Sequence, residues 1–372
     1  MRSLRRWAIV AVGTAVLMLL PWAISHRPVP KSSVSASTLL ARIRGSSGVA
    51  YSGLAESVGG LQLPDAKQLT SVTSLLGDRN QLRVWWGGAE SWRVDTISPT
   101  GETGLHLDGG LLWSWDYEAN RAVSSITYDG QVHLPRSTDL LPPQLALRLL
   151  ADATAKEVTR LPTQRVAGRA AAGLRLTPSQ PQSTIAHVDV WADPTTGLPL
   201  KVVAAGKASG VAAMETRFLD LKMGAPSAGL IAFIPPPGAK VQFNNNADPL
   251  TALDQRFPRP APDQLAGLDR VQRQGISPAV SIYGHGVTSM VLVPLRGDDA
   301  NALLQQLTEA TAIPVDGSAG AKTITISVGP VNMMVLVLGR RGYVLAGTVT
   351  TDAMQTAASD LETADQQDPF PR

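Results

Sequence analysis

Five short β-rich runs, Gln81–Trp86, Ser91–Ile97, Glu102–Leu107, Leu111–Tyr117 and Ala122–Tyr128, follow one another with turn residues in every gap. The gaps hold Gly87-Gly88, Ser98-Pro99-Thr100-Gly101, Asp108-Gly109-Gly110 and Glu118-Ala119-Asn120. Asp-Gly and Gly-Gly supply the positive-φ residues that tight hairpins require. A strand every ten or so residues indicates an antiparallel all-β meander.

The flanks extend the same pattern. Upstream, Val49–Glu56 reads as a first strand, preceded by a short helix, Thr38–Arg44, capped by Ser35 or Ser37 and ended by Gly45. Downstream, Pro142 and Pro143 open a helix over Gln144–Thr154, because proline at a first turn gives up an N–H that has no partner there. Val158–Arg169, Ala172–Thr177, Ile185–Ala192, Leu198–Ala205 and Ala213–Met223 then complete about eleven strands. Asp193-Pro194-Thr195-Thr196-Gly197 makes the turn between two of them, and Pro235-Pro236-Pro237-Gly238 stops the sheet. One sheet of that length must curl, split or close. The simplest arrangement is a mainly β (α+β) domain, an unclosed sheet curled around helices on its concave side.

Composition excludes several function classes. The chain has 372 residues and no cysteine, so it carries no disulfide, thiolate metal site or cysteine nucleophile. Net charge is +3, with no basic run outside the N-terminus, which argues against nucleic acid as a partner. His26, His106, His133, His187 and His285 have no metal-ligand spacing, and no catalytic motif is present. Asp189 and Asp193 read as solvated or turn-forming carboxylates, not a catalytic pair. No catalytic residue, metal or cofactor is therefore expected, and the chain reads as a non-enzyme.

Arg2, Arg5 and Arg6 precede an uncharged run, Trp7–Ser25, with Trp22 placed for an interface belt. The run is close to the roughly 20 residues of a spanning helix. It ends in Pro21-Trp22-Ala23-Ile24-Ser25-His26, with no clean cleavage site beside it. The expectation is a signal anchor, an N-terminal transmembrane helix over 1–26, in preference to a cleaved signal peptide. Either reading places residues from 27 onward outside the cytoplasm of a bacterial cell. Residues 27–37 form a Pro/Ser-rich tether and 38–243 the β domain.

Strand side chains alternate faces. Trp113 and Trp115 share one face with Tyr117, Trp92 and Val94 share one with Thr96, Val84 shares one with Trp86, and Val188 shares one with Val190. Trp86, Trp92, Val94, Trp113, Trp115, Val188 and Val190 are the candidates for an apolar ligand cavity, with plain core packing the competing role for each. Gly59–Asp78 is a long connection carrying Leu61, Leu63, Leu69, Leu75 and Leu76. It reads as a lid over a ligand mouth or as a short helix on the core.

After a polar, Asn- and Pro-punctuated linker, 244–261, the pattern becomes a small α+β domain over 262–365, with a tail at 366–372. Strands Ala279–Tyr283, Thr288–Pro294, Lys322–Val328, Val331–Leu338 and Gly342–Ala346 alternate with helices Ala300–Ala310 and Thr351–Leu361. Arg340 and Arg341, in a hairpin tip, are candidates for contact with anionic headgroups or a partner.

Over residues 38–243 many short matches occur in one order: Tyr51-Ser52-Gly53, Leu61-x-Leu63-Pro64, Leu82-Arg83-Val84-Trp85, Trp92-Arg93-Val94, and Asp108-Gly109-x-x-x-Trp113-x-Trp115-Asp116. Val166-Ala167-Gly168-Arg169, Gly197-Leu198-Pro199-Leu200 and Pro236-Pro237-Gly238-Ala239 continue it. Together they resemble the LolA-like lipoprotein-sorting fold, in particular its actinobacterial members and the RseB/MucB sigma-factor regulators. The resemblance implies an unclosed antiparallel β-barrel with a helical lid around a hydrophobic cavity for lipid or an acylated protein. It further implies a sensor or regulator on a sigma/anti-sigma pathway, with the small domain contacting a membrane anti-sigma factor; the anchor expected from Trp7–Ser25 and the second domain depart from the family's carriers. A lipid or lipoprotein carrier in cell-envelope transport is the alternative.

Overall fold

The computed structural model describes residues 14, 29–60, 77, 79–98, 101–126, 135–208, 212–244, 261–271, 280–311, 313, 315–318 and 321–366. The expected N-terminal transmembrane helix and the lid leucines Leu61, Leu63, Leu69, Leu75 and Leu76 lie outside the described residues. Among the described residues no helix is long and apolar enough to cross a membrane.

The first sheet has twelve strands: β1 (Tyr51–Gly59), β2 (Arg79–Gly88), β3 (Ser91–Ser98), β4 (Gly101–Asp108), β5 (Leu111–Asp116), β6 (Arg121–Ile126), β7 (Val158–Val166), β8 (Arg169–Leu176), β9 (Ile185–Ala192), β10 (Pro199–Gly206), β11 (Ala212–Met223) and β12 (Lys240–Asn244). Their order is β12-β6-β5-β4-β3-β2-β1-β11-β10-β9-β8-β7. β7 and β12 are the two edges, so the sheet is unclosed. The run read as one strand over Val158–Arg169 is a hairpin, turning at Ala167-Gly168 with Val166 opposite Arg169. The Asp108-Gly109-Gly110 signal makes a two-residue turn, with both glycines at positive φ.

Two helices lie on one face. α1 (Ala36–Arg44) starts at Ser35, whose hydroxyl accepts the Thr38 N–H at 3.1 Å. α2 (Pro142–Leu150) starts at proline, as its sequence requires. Leu39, Leu40 and Ile43 of α1 and Ala146 and Leu150 of α2 are buried with Leu174, Leu176, Val188, Val190 and Val202 of the sheet. Arg44 donates to the Leu150 carbonyl from Nε at 3.0 Å and from Nη2 at 2.7 Å, joining the two helices.

The helical layer forces the sheet to bend. α1 touches β7 and β8, and the turn Ser137–Leu140, just before α2, touches β3. From β3 to β7 a flat sheet would span about 34 Å at the usual strand spacing. Each of these nine-residue helices is only about 14 Å long. The sheet therefore wraps the helices on its concave side.

Pro235–Gly238 does not end the sheet. After β11 the chain makes a one-turn helix, α3 (Ala228–Ile231), crosses the convex face and adds β12 beside β6. β12 runs parallel to β6, whereas the other pairs of this sheet are antiparallel. A proline run is compatible with this route because the crossing segment needs no ladder donors.

The second domain is an eight-stranded sheet of β13 (Gln264–Leu265), β14 (Leu268–Val271), β15 (Ser281–His285), β16 (Thr288–Arg296), β17 (Asp316–Ser318), β18 (Ala321–Val328), β19 (Val331–Leu338) and β20 (Arg341–Gly347). α4 (Gly297–Thr311) buries Leu304 and Leu307 against Ile324, Ile326, Val335 and Val337. α5 (Thr351–Gln366) buries Met354 and Leu361 against Met334, Leu336 and Leu345 on the opposite face.

The two sheets meet by backbone pairing. Ser183 and Val349 form an isolated antiparallel bridge. Thr184 N–H donates to the Thr348 carbonyl at 3.0 Å and Thr350 N–H to the Gln182 carbonyl at 2.8 Å. Val287 of the second domain is buried in the cluster that holds α1 and α2. Beside it is a crevice of about 10 Å³ lined by Asp152, Glu157, Gln180 and His285, among others, with room for about one water. Burial pushes the Glu157 carboxyl up, and hydrogen bonds from Ser179 and Thr154 outweigh it, leaving it at about 2.

Candidate ligand-binding face

The concave face divides into two halves. Under α1 and α2 it is filled: Val188 and Val190 of β9 are fully buried against the helices. The other half is built on aromatic rings. Tyr51 of β1 stacks on Trp86 of β2 at 6.1 Å and 9°, and Trp86 stacks on Trp92 of β3 at 5.8 Å and 5°. Phe218 of β11 meets Tyr51 edge-on at 5.5 Å. Register makes this series: Tyr51 is opposite Trp86, and Trp86 opposite Trp92. The same face continues through Val94, opposite Leu105, and through Leu107, opposite Trp92. Leu105 and Leu107 are half-buried, so the apolar wall opens toward β4.

One polar atom interrupts this wall and a second lies farther along β1, opposite Asn80 and Thr216. The Tyr51 hydroxyl and the Ser57 hydroxyl are buried and make no hydrogen bond of normal geometry. Burial pushes the Tyr51 phenol well above its usual range, with the Gln144 side chain of α2 pulling the other way. It therefore stays a neutral donor.

Of the seven expected cavity residues, five share the concave face: Trp86, Trp92, Val94, Val188 and Val190. Only the first three belong to the aromatic half. Trp113 and Trp115 lie on the convex face. The two-residue turn at Gly109-Gly110 sets Leu107 opposite Leu112, so odd-numbered residues of β5 point the other way. There the segment after α3 covers them: Phe233 sits 5.5 Å from Trp113, 5.7 Å from Trp115 and 4.6 Å from the His106 ring. His106 is buried, with Nδ1 3.1 Å from the Ile231 carbonyl. Sequence reading missed His106, whose only signal is alternation within β4. Beside it Arg93 grips Asp95 through Nε at 2.9 Å and Nη2 at 2.6 Å, and lies over the Trp85 ring at 4.8 Å.

In the second domain Arg340 is exposed at its hairpin tip, and its carbonyl accepts the Gly297 N–H at 2.8 Å. Arg341 pairs with Asp365 of α5, which neutralises it. Among the described residues no group of His, Cys, Asp and Glu could hold a metal ion.

No protein-family model and no curated protein matches the chain. Among solved structures it is similar to a chain of the Pseudomonas aeruginosa MucA/MucB complex, at 16% identity and a TM-score of 0.48, covering 87% of this chain and 96% of that one. It is similar to a LolA-superfamily protein from Nitrosomonas europaea, at 14% identity and a TM-score of 0.24, covering 54% of this chain and 99% of that one. A putative outer membrane lipoprotein-sorting protein domain from Vibrio parahaemolyticus is similar at 13% identity and a TM-score of 0.22, covering 50% of this chain and 92% of that one.

Proposed function

We propose that this chain is a non-enzymatic extracytoplasmic binding module for a lipid or for the acyl chain of a lipoprotein. The observation that carries the reading is the stacked series Tyr51–Trp86–Trp92, which runs along the concave face into the half-buried Leu105 and Leu107. Such a wall suits an alkyl chain, since each methylene taken out of water contributes about 0.8 kcal/mol. Tyr51, Trp86, Trp92 and Val94 are themselves buried, as is the half under α1 and α2, so the alkyl chain enters from the β4 side, over the half-buried Leu105 and Leu107. The buried Tyr51 hydroxyl, at the aromatic series itself, supplies a hydrogen bond to an ester or carboxyl group.

The sequence resemblance extends this reading to a sensor or regulator of the RseB/MucB type, anchored by the N-terminal run and acting on an anti-sigma partner through the second domain. The backbone pairing between the domains supports a regulator over a freely diffusing carrier, because the second domain is fixed to the wall that holds the ligand face.

A fatty acid brominated on its chain tests the reading by quenching tryptophan fluorescence. Quenching is expected, and is lost with Trp86→Phe and Trp92→Phe together but kept with Trp113→Phe. Leu107→Trp, which fills the mouth, should weaken binding: shutting out about two methylenes costs about 1.6 kcal/mol, a little over tenfold in affinity. Quenching that depends on Trp113 and not on Trp86 and Trp92 would move the ligand off the concave face.

A further inference from the structure

The two edges of the twelve-stranded sheet are unlike. β7 is blunted in the ways natural edges are: it contains Pro162, Arg160 and Arg165. Ser32 lies across it, donating its N–H to Thr163 Oγ1 at 3.2 Å and accepting from Arg160. β12, Lys-Val-Gln-Phe-Asn, has neither proline nor an interior charge, and among the described residues no strand pairs with its outer side.

Its hydrogen-bonding groups follow from its pairing. The Lys240 N–H donates to the Asn120 carbonyl at 2.9 Å, and the strand runs parallel to β6. In a parallel ladder alternate residues bond to the same neighbour. Lys240, Gln242 and Asn244 therefore bond toward β6, and Val241 and Phe243 direct their N–H and C=O outward. The side chains of Val241 and Phe243 stand on the convex face, opposite Ala122 and Ser124. On that face they join Leu111 and Ile126, a directly opposed pair. Exposure across this strip is 77% for Phe243, 47% for Ile126, 43% for Leu111 and 40% for Val241, with Ile234 nearby in sequence at 86%.

We infer that β12 is a self-pairing edge whose partner is a second copy of this chain, joined antiparallel about a two-fold axis through Gln242. The strand is self-complementary in that register. Val241 of one copy falls opposite Phe243 of the other, and the two residues exchange both backbone hydrogen bonds, four across the axis. The axis stands perpendicular to the sheet, so both convex faces stay on one side and the two apolar strips become continuous. On the concave side Gln242 meets its own copy, a neutral amide pair with no like charges opposed. A foreign extended peptide could use the same edge; a second copy is favoured because the Val241–Phe243 pairing then joins two equal exposed apolar strips across the axis.

The chain has no cysteine, which makes the test direct. Gln242 on the axis is a non-hydrogen-bonded pair, with Cα atoms about 4.5 Å apart, within disulfide range. The full-length Gln242→Cys chain, in mild non-ionic detergent, should oxidise to a covalent dimer. Lys222→Cys, seven strands away on β11, should stay monomeric under the same oxidant. The unmodified chain should sediment at twice the monomer mass, and Phe243→Glu should return it to a monomer that still unfolds in a cooperative transition. Monomer mass at every concentration together with no Gln242→Cys dimer overturns the proposal. So does a dimer that survives Phe243→Glu.

Discussion

His106 shows how one side chain ties pH to the fold. Its ring is buried between the Ile231 carbonyl and Phe233, and Nε2 makes no hydrogen bond. Burial pushes its pKa below the ordinary 6.5 and nearby Arg93 adds to that, while the Ile231 carbonyl and Asp95 work against them. The unfolded imidazole takes a proton near 6.5, and the folded one resists until lower pH. The unfolded state thus binds more protons in that window, and stability falls as pH drops from 6.5 toward the folded value. Thermal unfolding across this range should show the decline, and His106→Phe should flatten it. An unchanged slope in His106→Phe would assign the effect to another group.

At the scale of elements, turn chemistry decides the most. Asp193 Oδ1 accepts from Thr195 N–H at 2.9 Å and from Thr196 N–H at 3.0 Å, and Gly197 completes the turn at φ +75°. A Cβ on Gly197 would lie 2.2 Å from the Arg42 carbonyl oxygen of α1. Gly197→Ala should therefore cost about 1–3 kcal/mol for the backbone conformation alone, plus displacement of α1, read as a lowered thermal midpoint. Asp, Thr and Gly announce such turns in sequence because the backbone geometry demands them, so most strands of the first sheet were legible. The faces of Trp113 and Trp115 were not. Which face a tryptophan takes depends on the parity of the register, and one residue more or less in a turn reverses it. β12 was hidden for another reason: a proline run reads as a stop, and nothing local says that the chain crosses a convex face and pairs again.

At the scale of the molecule, the joint between the domains sets the cooperativity. Val287 of the second domain sits in the first domain's core, Gly286 N–H donates to Asp152 at 3.2 Å, and Thr184 Oγ1 donates to the Pro330 carbonyl at 2.5 Å. Both domains should unfold in one transition, and Val287→Asp, which buries a charge there, should split it in two by calorimetry. The small domain was legible as an α+β unit, but the Ser183–Val349 bridge was not, since its two short segments carry no shared pattern. That bridge lies two residues before β9, and Gly206 at the far end of β10 packs against Pro330, its Cβ position 3.3 Å from the proline ring. The rim of the curved wall is thus bolted to its neighbour at two points. Both bolts hold the same end of the β9–β10 pair, where Ile185 stands opposite Gly206, so a splaying of those two strands there would carry the second domain with it.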